Sequence, residues 1–207
     1  MDIEKIEKAF DKYVSKFNFK NDRINLKYHH TYRVAKQSRN IAISLGLDEE
    51  NVNLAYLIGM LHDIGRFEQA KKYNTFNDFI SVDHADYGCK LLFEDGLIRK
   101  FIKDDKYDDI IYNSIHYHNK YEIGNNLDED TLLHAMIIRD ADKIDIIHNV
   151  ADTGKISLPE DEFGVSMLVA EDFCYERPVN HSHKYTKNDS TLTMIAFVFD
   201  LNFDFFT

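Results

Sequence analysis

An all-α fold, a single-domain helical bundle, is what this sequence predicts. Apolar residues recur mainly at spacings of three and four, and only two prolines and eight glycines interrupt 207 residues. Both observations disfavour a sandwich or barrel, which needs many short strands and frequent turn residues. The length suits one domain with a sizeable core. With no internal repeat, low-complexity stretch or linker, residues 1–207 read as one domain. Its core covers about 26–148, with an N-terminal helix at about 2–18 and a C-terminal extension at about 150–207.

The first helix carries Ile3, Ile6, Phe10, Tyr13 and Phe17 on one stripe. A second spans about 27–45 and stops at Gly46. The third, NVNLAYLIGMLHDI, is apolar on nearly every side and stops at Gly65, the pattern of a helix central to a bundle. Residues 67–80 lack clean periodicity and read as a loop or short turns. Helical pattern returns at about 83–94, 97–102, 107–118 and 130–149. Gly154, Pro159, Gly164 and Pro178 break up 150–190, which reads as a partly ordered excursion. The last helix covers about 190–201, and the aromatic NFDFFT terminus is expected to dock on the domain or on a second subunit, making a homodimer a candidate assembly.

The formal charge of −11 and the absence of a basic block disfavour a nucleic-acid partner. A small phosphorylated ligand is compatible, because a bound cation inverts the local field. Cys89 and Cys174 match no zinc spacing and no disulfide framework, so a reducing cytoplasm fits best. The charged start, MDIEKIEKAFDKY, is no signal peptide, and no apolar run is long enough for a membrane span.

Polar residues on apolar faces carry the functional signal. His30 shares its face with Val34, Ile41 and Leu45, whereas His29 shares one with Arg33 and Lys36. His62 and Asp63 end the buried helix, where a carboxylate needs a cation, a hydrogen-bond cage or a metal. His84 shares a stripe with Gly88, Leu91 and Leu92, and Gly88 leaves room for another backbone or for ligand chemistry. His116 and His118 lie about 200° apart on a helix. Register selects His118, which follows Ile111, Ser114 and Ile115, with His116 as the competitor. Asp142 shares a face with Ala135, Ile138 and Ile146, with Asp140 as its competitor.

Singly, each of these is more often a hydrogen-bonded core residue or a solvated charge. Together, four histidines and two carboxylates on inward faces are costly to bury unless they share a purpose. Helical bundles build metal sites in this manner. Imidazole with carboxylate suits two divalent transition metal ions, Fe or Mn first and Co, Ni or Zn next, in preference to calcium. Six ligands suit two ions sharing a carboxylate, and Asp63 is the natural bridge.

These motifs resemble those of the HD-domain metal-dependent phosphohydrolases: H-x-x-R-V (His30 to Val34), L-H-D-I-G (Leu61 to Gly65), D-H-A-D-Y-G (Asp83 to Gly88), I-H-Y-H (Ile115 to His118) and R-D-A-D-K-I (Arg139 to Ile144). The resemblance covers about residues 26–148, and the two added histidines point to the dinuclear branch, which includes hydrolases of cyclic dinucleotides and of diadenosine tetraphosphate. It implies one ion held by His30, His62, Asp63 and Asp142, and a second held by Asp63, His84 and His118. The Gly-Tyr-Pro signature of the cyclic-dinucleotide enzymes is absent, since NKYEIGNNL follows His118. Arg66 stands where those enzymes often carry a lysine, which makes Asp63 and Arg66 the candidate catalytic residues. Lys143, Arg33, Lys71 and Lys72 are further cations to weigh.

The implied activity is hydrolysis of a phosphate ester or anhydride, in a nucleotide or another small phosphorylated metabolite. The same ligand set is shared by HD-fold di-iron oxygenases acting on a polyol or phosphonate, and some HD proteins are non-catalytic nucleotide sensors. Substrate contacts are expected from residues 67–80, 119–130 and 150–190.

Overall fold

Every residue from Val52 to Leu61 is buried. A segment apolar on all sides has no solvent face to present, so other helices pack around it. The computed structural model describes residues 1–153, 164–184 and 186–204, and among them there is no strand, which bears out the all-α expectation. In chain order the helices are α1 (Ile3–Val14), α2 (Asp22–Ser44), α3 (Glu49–Leu61), α4 (Ile64–Tyr73), α5 (His84–Cys89), α6 (Asp108–Tyr117), α7 (Glu129–Thr153), α8 (Met167–Cys174) and α9 (Lys187–Ile195). The chain divides into two compact units, Met1–Ala141 and Asp142–Thr207, with the boundary inside α7.

In the first unit α1 buries Ile6, Phe10, Tyr13 and Val14, the stripe read from its sequence. Phe10 meets Phe67 of α4 edge to face, with centroids 5.7 Å apart, and Tyr13 and Phe17 pack around the same ring. Burying a phenylalanine stabilises by about 1.5–3 kcal/mol, so this cluster anchors α1 to α4. The most extensive pairing is α2 on α3. On α2, His30, Val34 and Ile41 are buried and His29 is exposed, as the register requires; Leu45, after the last turn, is 38% exposed.

Two element expectations need correction. Residues 67–73 are helical, as part of α4, and only Asp78–Ile80 form a short 3-10 turn. The periodicity is masked by Gln69, a fully buried polar residue whose amide donates to Asp78 Oδ1 (2.8 Å), Ser81 Oγ (2.9 Å) and the Val82 carbonyl (3.0 Å). Asn74, in the left-handed region at φ 50°, ends the helix. The third helix stops at Leu61, with His62 as its C-cap, rather than running on to Gly65.

His134, on the part of α7 within the first unit, is buried with Nε2 3.1 Å from Asn51 Oδ1. Burial pushes its pKa down to about 4 from the ordinary 6.5. Between those values the unfolded chain takes up a proton that native His134 refuses, so stability is full above 6.5 and falls as pH drops toward 4. The difference amounts to at most about 3 kcal/mol. Urea unfolding from pH 7 to pH 4 is expected to show a shallower acid loss in His134→Gln than in the natural chain; equal slopes would remove His134 as the source.

The second unit has a small core of Val169, Val179 and Ala196, covered by Phe173, Leu192 and Phe199. Thr186 and Asp189 form a capping box at the start of α9, and the buried Asp189 carboxylate also accepts from Ser166 N (2.8 Å) and Oγ (2.5 Å). Helix α8 was not legible in the broken 150–190 pattern. Residues 154–163 and 185 of that segment, and 205–207 of the aromatic terminus, lie outside the described residues.

Candidate metal centre

His62 and Asp63 are adjacent in sequence, and a straight helix would point them about 100° apart. The chain avoids this by breaking between them. His62 caps α3, while Asp63, at φ −105° and ψ 19°, leaves helical geometry and opens α4. Both side chains then face one interior point, with His62 fully buried and Asp63 2% exposed. His30 reaches that point from α2, His84 from the first residue of α5, and His118 from the C-cap of α6. All three are at least 95% buried.

The approach of α5 rests on two glycines. A Cβ on Gly65 would stand 2.3 Å from the His84 carbonyl oxygen and 2.8 Å from Gly88 N. Helix α4 therefore packs backbone to backbone on α5, and the room expected at Gly88 is filled by Ile64 and Gly65. The turn carrying His118 is held by Arg139, a buried guanidinium that donates to the carbonyls of Tyr117 (2.9 Å), Lys120 (2.5 Å) and Tyr121 (3.3 Å).

Around Asp63 the donors divide into two groups. Oδ2 faces His62 Nε2 at 3.4 Å and His30 Nε2 at 3.5 Å, and Oδ1 faces His84 Nε2 at 3.5 Å and His118 Nε2 at 3.9 Å. The His30 and His62 Nε2 atoms are 3.3 Å apart, and those of His84 and His118 are 3.1 Å apart. His116, the competitor, points elsewhere, with Nδ1 2.7 Å from Asp86 Oδ1. Asp142 is the first residue of the second unit and lies partly buried on α7.

Whether these groups suit an ion is decided by where the ring protons sit. His62 Nδ1 is 2.8 Å from the Gly59 carbonyl, and His118 Nδ1 is 2.6 Å from the Ile115 carbonyl. A carbonyl only accepts, so each Nδ1 carries the hydrogen and each neutral ring turns a lone pair inward. His84 does the same against the Asp78 carboxylate, 2.5 Å away. Lone pairs of His84 and His118 at 3.1 Å repel unless a cation lies between them. Burial lowers the pKa of His84, which favours a metal over a proton as that cation. Ligand bonds of about 2.0–2.2 Å place neighbouring donors roughly 3.0–3.5 Å apart, which matches the separations found here except the 3.9 Å from His118 Nε2 to Asp63 Oδ1. The donor set fits a metal centre.

A family model described as HD domain matches residues 28–147. The chain belongs to the HD domain family. No curated protein and no solved structure matches it significantly. In this HD domain the five residues His30, His62, Asp63, His84 and His118 are brought together, in two overlapping groups that share Asp63.

Three charged residues at the site were not singled out in the sequence. Lys27 donates from Nζ to Asp63 Oδ2. Burial raises the Asp63 pKa, but the Lys27 ammonium beside it opposes that, and the carboxyl lies well below its ordinary value. Lys27 precedes His30 by three residues, so helical register alone places both on one face. Asp78 and Lys120 are the others; Lys120 Nζ pairs with Asp83 Oδ2 (2.7 Å) and Asp86 Oδ1 (3.1 Å). Arg66 Nε lies 3.6 Å from Asp63 Oδ1, while its Nη1 donates to Gln69 Oε1 (2.8 Å), the Phe76 carbonyl (2.7 Å) and Asp78 Oδ1 (2.7 Å).

Proposed function

We propose that this HD domain is a metal-dependent phosphohydrolase acting on a phosphate ester or anhydride of a nucleotide or another small phosphorylated metabolite. The observation that carries the reading is the division of Asp63, one carboxylate oxygen toward each pair of histidines. His30, His62 and Asp63 Oδ2 form one binding position, to which the sequence pattern adds Asp142. His84, His118 and Asp63 Oδ1 form the other. The donor types favour Fe or Mn, with Co, Ni or Zn as alternatives. The chemistry such ions supply is a hydroxide near neutral pH and stabilisation of charge on a phosphoryl group.

The chain's own residues set this up. Carbonyls of Gly59 and Ile115 hold the rings of His62 and His118 in the ligating tautomer. Lys27 balances the Asp63 carboxylate and, with Arg66, supplies positive charge for a phosphate oxygen. Phe76 lies close to both cations, 5.8 Å from Lys27 Nζ and 5.4 Å from Arg66 Cζ, and puts an aromatic ring beside the charge a phosphate would meet. No helix among the described residues is long and apolar enough to cross a membrane. We place the activity in the cytoplasm, where Cys89 and Cys174 remain thiols.

Metal analysis of the purified protein, followed by a nucleotide and phosphoester panel with Mn²⁺ and Fe²⁺, tests the reading. Release of phosphate or a nucleoside monophosphate, lost with chelator and restored by metal, is expected. Oxygen uptake on a polyol or phosphonate without phosphate release would replace the hydrolase with an oxygenase. A metal-loaded protein inert on the whole panel would favour a sensor.

A further inference from the structure

Three of the converging histidines have a visible partner behind the ring, and one partner differs in kind. For His62 and His118 it is a main-chain carbonyl of the same helix, three residues back. For His84 it is the carboxylate of Asp78, six residues earlier on the 3-10 turn Asp78–Ile80. That turn buries none of its own residues, and Phe79 and Ile80 are 76% and 73% exposed. Apolar packing therefore does not explain why it is held. Its anchor is polar: Asp78 Oδ1 accepts from Arg66 Nη1 (2.7 Å) and Gln69 Nε2 (2.8 Å), and Gln69 also grips Ser81 and Val82. Asn119 Nδ2 comes within 3.4 Å of the same His84 nitrogen, but its hydrogens serve Asp83 at 3.1 and 3.2 Å. So Asp78 Oδ2 is the acceptor for His84, with its other oxygen clamped from α4.

We propose that Asp78 is the positioning residue for one of the two ion positions. It fixes the His84 tautomer and places negative charge behind that ring, so binding at His84, His118 and Asp63 Oδ1 depends on it. Binding at His30, His62 and Asp63 Oδ2 does not. A carboxylate behind a ligating imidazole raises its basicity and orients the ring, and losing such a partner typically weakens metal binding about 10–100-fold. The position it serves has one ligand fewer in the proposed scheme, so this support matters more there. The inference also gives Arg66 and Gln69 a joint task, holding Asp78 in place. It rests on the two-ion reading above.

The test is Mn²⁺ titration by calorimetry of the metal-stripped full chain, with elemental analysis after dialysis. Natural protein, Asp78→Asn, His84→Ala and the double variant are compared. In Asp78→Asn the first Kd is expected to stay unchanged and the second to weaken about 10–100-fold. His84→Ala should lose the second ion, and the double variant should be no worse than His84→Ala. Gln69→Leu, which removes one clamp on Asp78, should weaken the second ion in the same direction by less, and it serves if Asp78→Asn does not fold. A second Kd within threefold of the natural protein in these variants, or an equal loss of both ions, overturns the proposal. A natural chain that takes up no second ion overturns the two-ion reading before any substitution is made.

Discussion

Asp63→Ala is expected to give a folded chain that retains neither ion and no hydrolytic activity. The residue is 2% exposed and meets the four histidine Nε2 atoms with its two oxygens, so its loss removes one donor from each group. Losing an outer histidine removes one donor from one group only. The variant must also accommodate Lys27, whose ammonium loses its partner. Lys27 is 14% exposed and turns toward water, so the cost falls short of the several kcal/mol that strands a fully buried charge. Thermal melting separates the two effects. Metal at about 1,000 times its Kd adds about 4 kcal/mol to a chain that binds it when native, and nothing to one that does not. The natural protein should melt higher with Mn²⁺ than with chelator, and Asp63→Ala should melt identically in both. Normal metal content in Asp63→Ala would sink the bridging role.

Gly65→Ala is the second substitution with a large expected effect, though position 65 carries no chemistry. The new methyl group would meet the His84 carbonyl oxygen at 2.3 Å and Gly88 N at 2.8 Å, both main-chain atoms that cannot rotate away. Helix α5 has to move, and His84 is its first residue. Forcing a methyl into such a contact costs about 1–3 kcal/mol or more, which lowers the melting temperature by roughly 2–12 °C in a chain of this size. Gly88→Ala is the matched control, since its Cβ would meet the Ile64 Cγ2 methyl at 3.3 Å, a side chain able to yield. It should melt within a few degrees of the natural protein. Equal melting of both variants would show that α4 and α5 separate easily.

Most of the histidine geometry was legible because burial of a polar residue leaves a trace in periodicity. His30 and His118 each share a stripe with residues that prove buried, Val34 and Ile41 in one case and Ile111, Ser114 and Ile115 in the other. The same reasoning separated His118 from His116, and His30 from His29. Adjacency to the buried helix marked Asp63, although that helix ends at Leu61 and it is the break after His62 that turns the carboxylate inward. What escaped has a common cause, that long or networked polar side chains do not betray their direction. Lys27 shares the His30 face, but a lysine on an amphipathic helix ordinarily reaches solvent, and only the structure shows its ammonium on Asp63. Asp78 sits where no period exists, and the helical period of α4 is hidden because a satisfied glutamine occupies a core position. The second unit contributed little signal because two prolines and two glycines interrupt it and its core is small.

The two oxygens of Asp63 also set the routes by which this centre can change over generations. In the proposed two-ion scheme each outer histidine serves one ion, so a lineage that loses His84 or His118 keeps the opposite position whole. Substitution at residue 63 offers no such halfway form, because both groups fail at once. Descent from two ions to one is therefore open at the periphery and closed at the middle. Drift is expected to reach the α5 and α6 positions long before it reaches the helix break at His62–Asp63.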